Sequence, residues 1–339
     1  MKRWRRWIKR GAIGAVAALV ALALVGMLYQ ALATQADRRN FPPPGKLVDV
    51  GEHRLHIQCA GEGRPTVVLE TGALGISAAW GWVQPQVAVH TRVCSYDRAG
   101  LGWSEPGPKP RDALRIAKEL RTLLRNAGET PPYVLVGVSF GGLLVRVYAD
   151  QYPEDVAGLL LVDSSHPDQD ARFEKVLGKP SFLEERLFSS LPVLARLGVL
   201  RFILRFTDIG SRIDELPPRQ AAETKAFLAD SSHLSAARAE MAVWNETTAQ
   251  ARATRPLGDL PLVVVSAGGR NTASLKRRVL LELHGELAAL SSRGSHRVVA
   301  GAGHISLVTN RAHAAQVAEA IQELVEATRA RETDSNPPQ

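Results

Sequence analysis

Apolar residues follow two rhythms along this chain. Short runs rich in valine, leucine and other strand-forming residues occur at 66–70, 92–96, 133–138, 156–162 and 261–266, with a last one at 295–299. Between them lie longer segments, at 80–89, 111–127, 274–290 and 312–327, in which apolar residues recur every three or four positions. The first kind reads as strands buried on both faces, the second as amphipathic helices. Their alternation predicts an α/β fold with a mostly parallel central sheet flanked by helices. Ahead of them, residues 46–50 and 53–59 alternate polar and apolar around Gly51, as a hairpin does. The rhythm stops from 167 to about 255, where the spacing is helical throughout. That stretch reads as a helical cap inserted over the strand ends, where α/β sheets bind ligands. Its apolar residues, Phe202 and Phe206 among them, fit either a pocket lining or the cap's own core, and Arg196, Arg201 and Arg205 fit either anionic lipid or a solvated basic face.

The N-terminus breaks both rhythms. Residues 11–29 carry no charge over 19 positions, which as a helix rise about 28 Å, close to the thickness of a bilayer's hydrocarbon core. Lys2, Arg3, Arg5, Arg6, Lys9 and Arg10 precede it, and Trp4 and Trp7 suit the interface. This asymmetry predicts a signal anchor in the cell membrane, with the N-terminus cytoplasmic and the remaining chain outside the cytoplasm. Cleavage after Ala31-Leu32-Ala33, which would release a secreted or periplasmic body, is the alternative. The predicted organisation is a basic region and span at 1–29, a proline-rich spacer at 30–45, the α/β body at 46–329 and a loose tail at 330–339. The formal net charge of +8 rests largely on those six of the 42 basic residues, leaving 36 against 34 acidic ones. A nearly neutral body excludes a nucleic-acid role.

Chemistry concentrates at Gly137-Val138-Ser139-Phe140-Gly141, a G-x-S-x-G pattern. It follows the 133–138 run directly, and from Gly142 the residues Leu143, Leu144, Val147 and Tyr148 recur at helical spacing. A serine on such a strand-turn-helix is exposed at a helix N-terminus, where a developing anion is stabilised. It needs a base, and the chain has nine histidines. His304 stands apart, on the glycine-rich loop Gly301-Ala302-Gly303-His304 after the last strand, at the sheet edge the serine turn occupies. His166, at the start of the cap, is its rival. No C-x-x-C or H-E-x-x-H spacing and no G-x-G-x-x-G after a strand is present, so no cofactor or metal is implied.

With these features, and with Asp97-Arg98-Ala99-Gly100-Leu101-Gly102-Trp103-Ser104 matching a D-x-x-G-x-G-x-S loop, residues 46–329 outside the cap resemble the α/β-hydrolase superfamily. The resemblance implies the chain order nucleophile, acid, histidine. It also places Thr71-Gly72-Ala73 where many members have His-Gly-x, so the oxyanion donors would be the N–H groups of Ala73 and Phe140. Thr71 and Val138 depart from common histidines without touching the backbone donors. Many members carry the acid after the penultimate strand, yet no carboxylate follows that strand here before Glu282, and Asp259 precedes it at the opposite end. Other members carry it after the strand that follows the nucleophile helix, which implies Asp163, with Glu282, or Asn271 as a neutral orienter, left open. In the superfamily's strand order Cys59 and Cys94 lie on neighbouring strands; a disulfide there would contribute roughly 3 to 4 kcal/mol by loop entropy, and two buried thiols are the alternative.

The expected activity is that of a membrane-tethered serine hydrolase, esterase- or lipase-like, acting on a small lipophilic acyl substrate through a Ser139 acyl-enzyme. Peptidase or amidase chemistry would use the same residues. A dehalogenase or epoxide hydrolase in this fold wants aspartate at 139, and a non-catalytic ligand-binding protein would keep the fold alone.

Overall fold

The computed structural model describes residues 2–179, 182–207, 210–269 and 274–335. One eight-stranded sheet forms from β1 (Lys46–Asp49), β2 (Arg54–Ala60), β3 (Thr66–Glu70), β4 (Val93–Tyr96), β5 (Tyr133–Val138), β6 (Val156–Val162), β7 (Leu262–Ala267) and β8 (Gly294–Val299). The spatial order is β1-β2-β4-β3-β5-β6-β7-β8. β1 and β2 are an antiparallel hairpin on one edge, β2 is antiparallel to β4, and β3 to β8 run parallel. All six functional loops after these parallel strands therefore leave the same edge of the sheet.

The helices are α1 (Lys2–Asn40), α2 (Val83–Val87), α3 (Ala113–Ala127), α4 (Phe140–Gln151), α5 (Gln169–Leu177), α6 (Phe182–Arg196), α7 (Val199–Phe206), α8 (Pro218–Leu228), α9 (Ser231–Met241), α10 (Trp244–Arg252), α11 (Leu275–Ala288), α12 (Ser306–Thr309) and α13 (Arg311–Ser335). Alternation along the strands divides the core in two. Leu135, Leu159, Leu161 and Val264 face α3, α4 and α11, whereas Val134, Val136, Leu160 and Val162 face α2 and α13. Each such side chain contributes about 1.5–3 kcal/mol by leaving water. α3 begins where the Asp112 side chain accepts from the Arg115 N–H and ends at Gly128 with φ 86°, a left-handed position suited to glycine. Helices α5 to α10 fill the interval between β6 and β7, so the segment read as a cap contains no strand among its described residues.

Three details differ from the sequence reading. α1 continues to Asn40 through the region assigned to an extended spacer, because residues 30–40 contain neither proline nor glycine and the helix gains tertiary partners there: Gln30 Nε2 donates to Ala229 O at 2.7 Å, and Arg201 pairs with Asp37 at 2.7 Å. Pro42 is the first residue that cannot continue it. α13 runs to Ser335, beyond the point where a loose tail was expected. The 80–89 segment splits into a 3-10 turn over Ser77–Trp80 followed by α2. Cys59 and Cys94 face each other in the β2/β4 register and are joined by a disulfide.

Candidate active site

The serine turn is built by close approach of backbones. Ser139 has φ 55° and ψ −120°, outside the region a non-glycine residue prefers, and is held there by its N–H to Val162 O at 3.0 Å and by Ser165 N–H to its carbonyl at 2.9 Å. A Cβ on Gly137 would lie 2.5 Å from Gly141 O, and one on Gly141 would lie 2.6 Å from Thr71 O. Both flanking glycines are thus required by space. As the residue preceding α4, Ser139 makes no side-chain capping bond, so its hydroxyl is left for other partners.

Asp163, the first residue after β6, also has positive φ, 40°. Its Oδ1 accepts from Ala267 N–H at 2.9 Å and from Arg277 Nη1 at 3.2 Å, and its Oδ2 meets His304 Nδ1 at 2.7 Å. Burial pushes its pKa up, but the hydrogen bond and charge of His304 and the charge of His284 outweigh burial, and the carboxyl lies below its ordinary value. An ionised Asp163 fixes the His304 tautomer with the proton on Nδ1 and leaves the Nε2 lone pair free. No hydrogen bond joins His304 to Ser139 Oγ among the described residues. Glu282 is exposed on α11, Asp259 pairs with Arg331 at 2.8 Å, and Asn271 lies outside the described residues. His166 is turned toward Asp168 and Glu286, at 4.0 and 3.7 Å.

The loop after β3 runs over the serine: a Cβ on Gly72 would lie 3.1 Å from Ser139 Cβ and 3.6 Å from its Oγ. Arg98 donates to the carbonyls of Thr71 at 2.9 Å and Gly72 at 3.0 Å. In a trans peptide the N–H points opposite its C=O, so pinning Gly72 O on Arg98 directs the Ala73 N–H away from Arg98. Neither the Ala73 nor the Phe140 N–H is taken by a backbone partner among the described residues.

A family model of the alpha/beta hydrolase fold matches residues 65–310, most of the chain and all of the loops just described. The chain belongs to the alpha/beta hydrolase family. It is 31% identical over 157 residues to 2-hydroxymuconate semialdehyde hydrolase of Pseudomonas sp. (strain CF600), covering 44% of this chain and 54% of that protein. The esterase of Thermogutta terrifontis superposes with a TM-score of 0.53 at 20% identity, covering 84% of this chain and 98% of that one. The haloalkane dehalogenase DbeA-M1 loop variant from Bradyrhizobium elkanii gives 0.62 at 17% identity, covering 86% and 99%. The chain spans between 18% and 58% of the length of the first curated relatives it matches.

Around this site the chain makes contacts that the sequence motifs do not describe. Arg98, 1% exposed, bridges the body and the cap: it pairs with Glu70 at the end of β3 at 2.6 Å and bidentately with Glu240 of α9 at 2.8 and 2.9 Å. Burial pulls the guanidinium pKa down, but Glu240 and Glu70 outweigh it and raise it. Burial also holds the Glu70 carboxyl and the Tyr96 hydroxyl bonded to it above their ordinary values. A second α9 residue, His233, accepts from Gly102 N–H at 3.2 Å on Nδ1 and donates from Nε2 to Leu74 O at 3.1 Å; Leu74 has φ 63°. One cap helix thereby holds the loop after β3 both directly and through Arg98.

Behind Asp163 lies His284, with Nδ1 3.8 Å from Oδ1. Its Nε2 donates to Ser164 O at 2.9 Å, so Nδ1 accepts from Ser266 Oγ at 2.6 Å, and that hydroxyl in turn accepts from His296 Nε2 at 2.7 Å. Burial holds both imidazoles below their ordinary pKa. A cavity of about 690 Å³ opens between the end of α1, the Gly100 to Arg111 loop and helices α8 and α9; it is lined by His233 but not by Ser139. Cys59, Cys94 and Glu129 gather close together, yet the sulfurs are bonded to each other and Glu129 pairs with Arg92 at 2.7 Å, which leaves no ligand set there for a metal.

Proposed function

We propose that this alpha/beta hydrolase is a membrane-tethered serine hydrolase that cleaves an ester or related acyl bond, with Ser139 as nucleophile, His304 as base and Asp163 as the acid that orients it. The observation that carries the reading is the strained Ser139 turn at the same sheet edge as the 2.7 Å Asp163–His304 pair. In this reading Ser139 Oγ attacks the acyl carbon while its proton passes to His304 Nε2, and the carbonyl electron pair moves onto oxygen. The oxyanion is met by the N–H groups of Ala73 and Phe140, each worth a few kcal/mol in the transition state. The tetrahedral intermediate collapses, the leaving alkoxide takes the proton from Nε2, and water repeats the sequence to free the acid and Ser139. In this reading the Ser139–His304 hydrogen bond forms around the substrate.

Serine at 139 favours this chemistry over that of the dehalogenase-named neighbour, because an ester-forming step on a carboxylate needs aspartate there. The tether is α1, whose apolar stretch is long enough to cross a bilayer and is uncovered by protein. The disulfide fits a catalytic body outside the reducing cytoplasm. Treatment of the full-length protein with a fluorophosphonate probe tests the assignment: labelling of wild type and none of Ser139→Ala is expected, and labelling that does not depend on Ser139, or none at all, overturns it.

A further inference from the structure

The cap is not held at arm's length from the membrane segment. Leu197 and Gly198 form the elbow between α6 and α7, and that elbow packs on α1: a Cβ on Gly26 would lie 2.4 Å from Leu197 O, and one on Gly198 would lie 3.3 Å from both Gly26 O and Tyr29 Cδ1. Gly26 and Tyr29 both belong to the charge-free stretch 11–29. Gly26 is three residues from its end, about 4.5 Å along a helix. Whatever depth α1 takes, the elbow shares it.

The side chains around the elbow suit that depth. Val193 of α6 is 60% exposed, and on α7 Val199, Phe202 and Phe206 recur at helical spacing with Phe202 62% and Phe206 64% exposed. The two phenylalanine rings are 4.7 Å apart, forming one apolar surface. Arg196 and Arg205 flank it and are exposed, whereas Arg201 turns inward to Gln30 Oε1 at 3.1 Å and Asp37 at 2.7 Å, fixing α7 against α1. An apolar ridge with arginines beside it is unfavourable in water and favourable at the boundary between acyl chains and phosphate headgroups.

We propose that the α6–α7 elbow is a second membrane contact, seated in the lipid interface beside α1, so that the cap and not only the anchor is bound to the bilayer. The proposal rests on the reading of α1 as a membrane span. Its occupant is phospholipid, with anionic headgroups against Arg196 and Arg205.

Because both native cysteines are in the disulfide, one added cysteine is a unique label site. Full-length variants Val193→Cys, Phe202→Cys, Val20→Cys and Val89→Cys, each carrying an environment-sensitive fluorophore, are reconstituted singly into nanodiscs of neutral and anionic phospholipid. Val89, 79% exposed before β4, lies at the end of the sheet away from the cap and serves as the water control. Lipids bearing a nitroxide near the headgroup are expected to quench the labels at 193 and 202 by about two-fold or more while leaving 89 unchanged, and deep nitroxides to quench the label at 20. Two elbow positions keep the result readable if one label disturbs folding. Quenching at 20 with none at 193 and 202 overturns the elbow contact and leaves the span standing. No quenching at 20 removes the span and the elbow contact with it. Elbow fluorescence that responds to protein concentration and not to nitroxide lipid assigns the ridge to a second copy of this chain and overturns the proposal.

Discussion

Around Asp163 polar groups are closed on one another: three donors meet one carboxylate, and behind it His284, Ser266 and His296 pass hydrogen bonds in a line. At the α6–α7 elbow the arrangement is inverted, with valine and phenylalanine turned outward and an arginine turned in. The first region satisfies the rule for a protein interior, in which each buried polar atom finds a partner; the second breaks the corresponding rule for a water-facing surface. In the proposed reading one chain answers to two solvents. Positions equal in local pattern differ in meaning according to what lies across from them.

Breaking the polar side gives the largest effects. Ser139→Ala is expected to lower kcat against an activated ester by about 10,000-fold or more, read by steady-state hydrolysis. Asp163→Asn keeps the shape but supplies a side chain that favours the wrong His304 tautomer, so a loss of about 1,000- to 10,000-fold is expected. Activity near wild type in that variant would remove Asp163 from the mechanism. Arg98→Met leaves Glu70 and Glu240 buried without their cation and should destabilise the fold by about 3–5 kcal/mol, seen as a lowered midpoint in denaturant. By contrast, Phe202→Ser on the outward face removes little packing, and a change within about 0.5 kcal/mol is expected in detergent solution.

A separate effect is one of pH. Burial lowers the pKa of His284 and His233, and of His166 to about 4, in the folded state. The unfolded chain takes up protons as pH falls through about 6.5 and the folded chain does not, so their contribution is complete above that value and is lost toward the folded pKa. Tm should therefore fall from pH 7 to pH 5, and His166→Asn should flatten that fall; an unchanged slope would exclude His166 as a contributor.

Much of the sheet was legible because its strands are apolar on both faces and each is bounded by a turn. Ser139 was legible for a local reason, since the glycines its backbone requires sit two positions on either side. His304 was legible from its glycine-rich loop after the last strand, whereas Asp163, 141 residues away, needed the strand order supplied by resemblance. Arg98 was read only as part of the D-x-x-G-x-G-x-S loop, because its partner Glu240 is 142 residues away and an arginine or glutamate taken alone reads as solvated. His284 and His296 were not distinguished among the nine histidines, because the hydroxyl they share, on Ser266, lies on another element. The continuation of α1 to Asn40 was missed because the polar residues at 30–40 gain their partners from the cap.

The two holds of α9 on the loop after β3 also limit how the cap can move. Lifting α9 would part Arg98 from Glu240, two charge-assisted hydrogen bonds of about 1.5–3 kcal/mol each, and would release Leu74 from His233 in the same motion. α5 is tied to the body more loosely, by exposed pairs such as Arg172 to Glu286. α9 is thus fixed to the body at two points, and any movement of the cap that keeps these bonds leaves the loop over Ser139 in place.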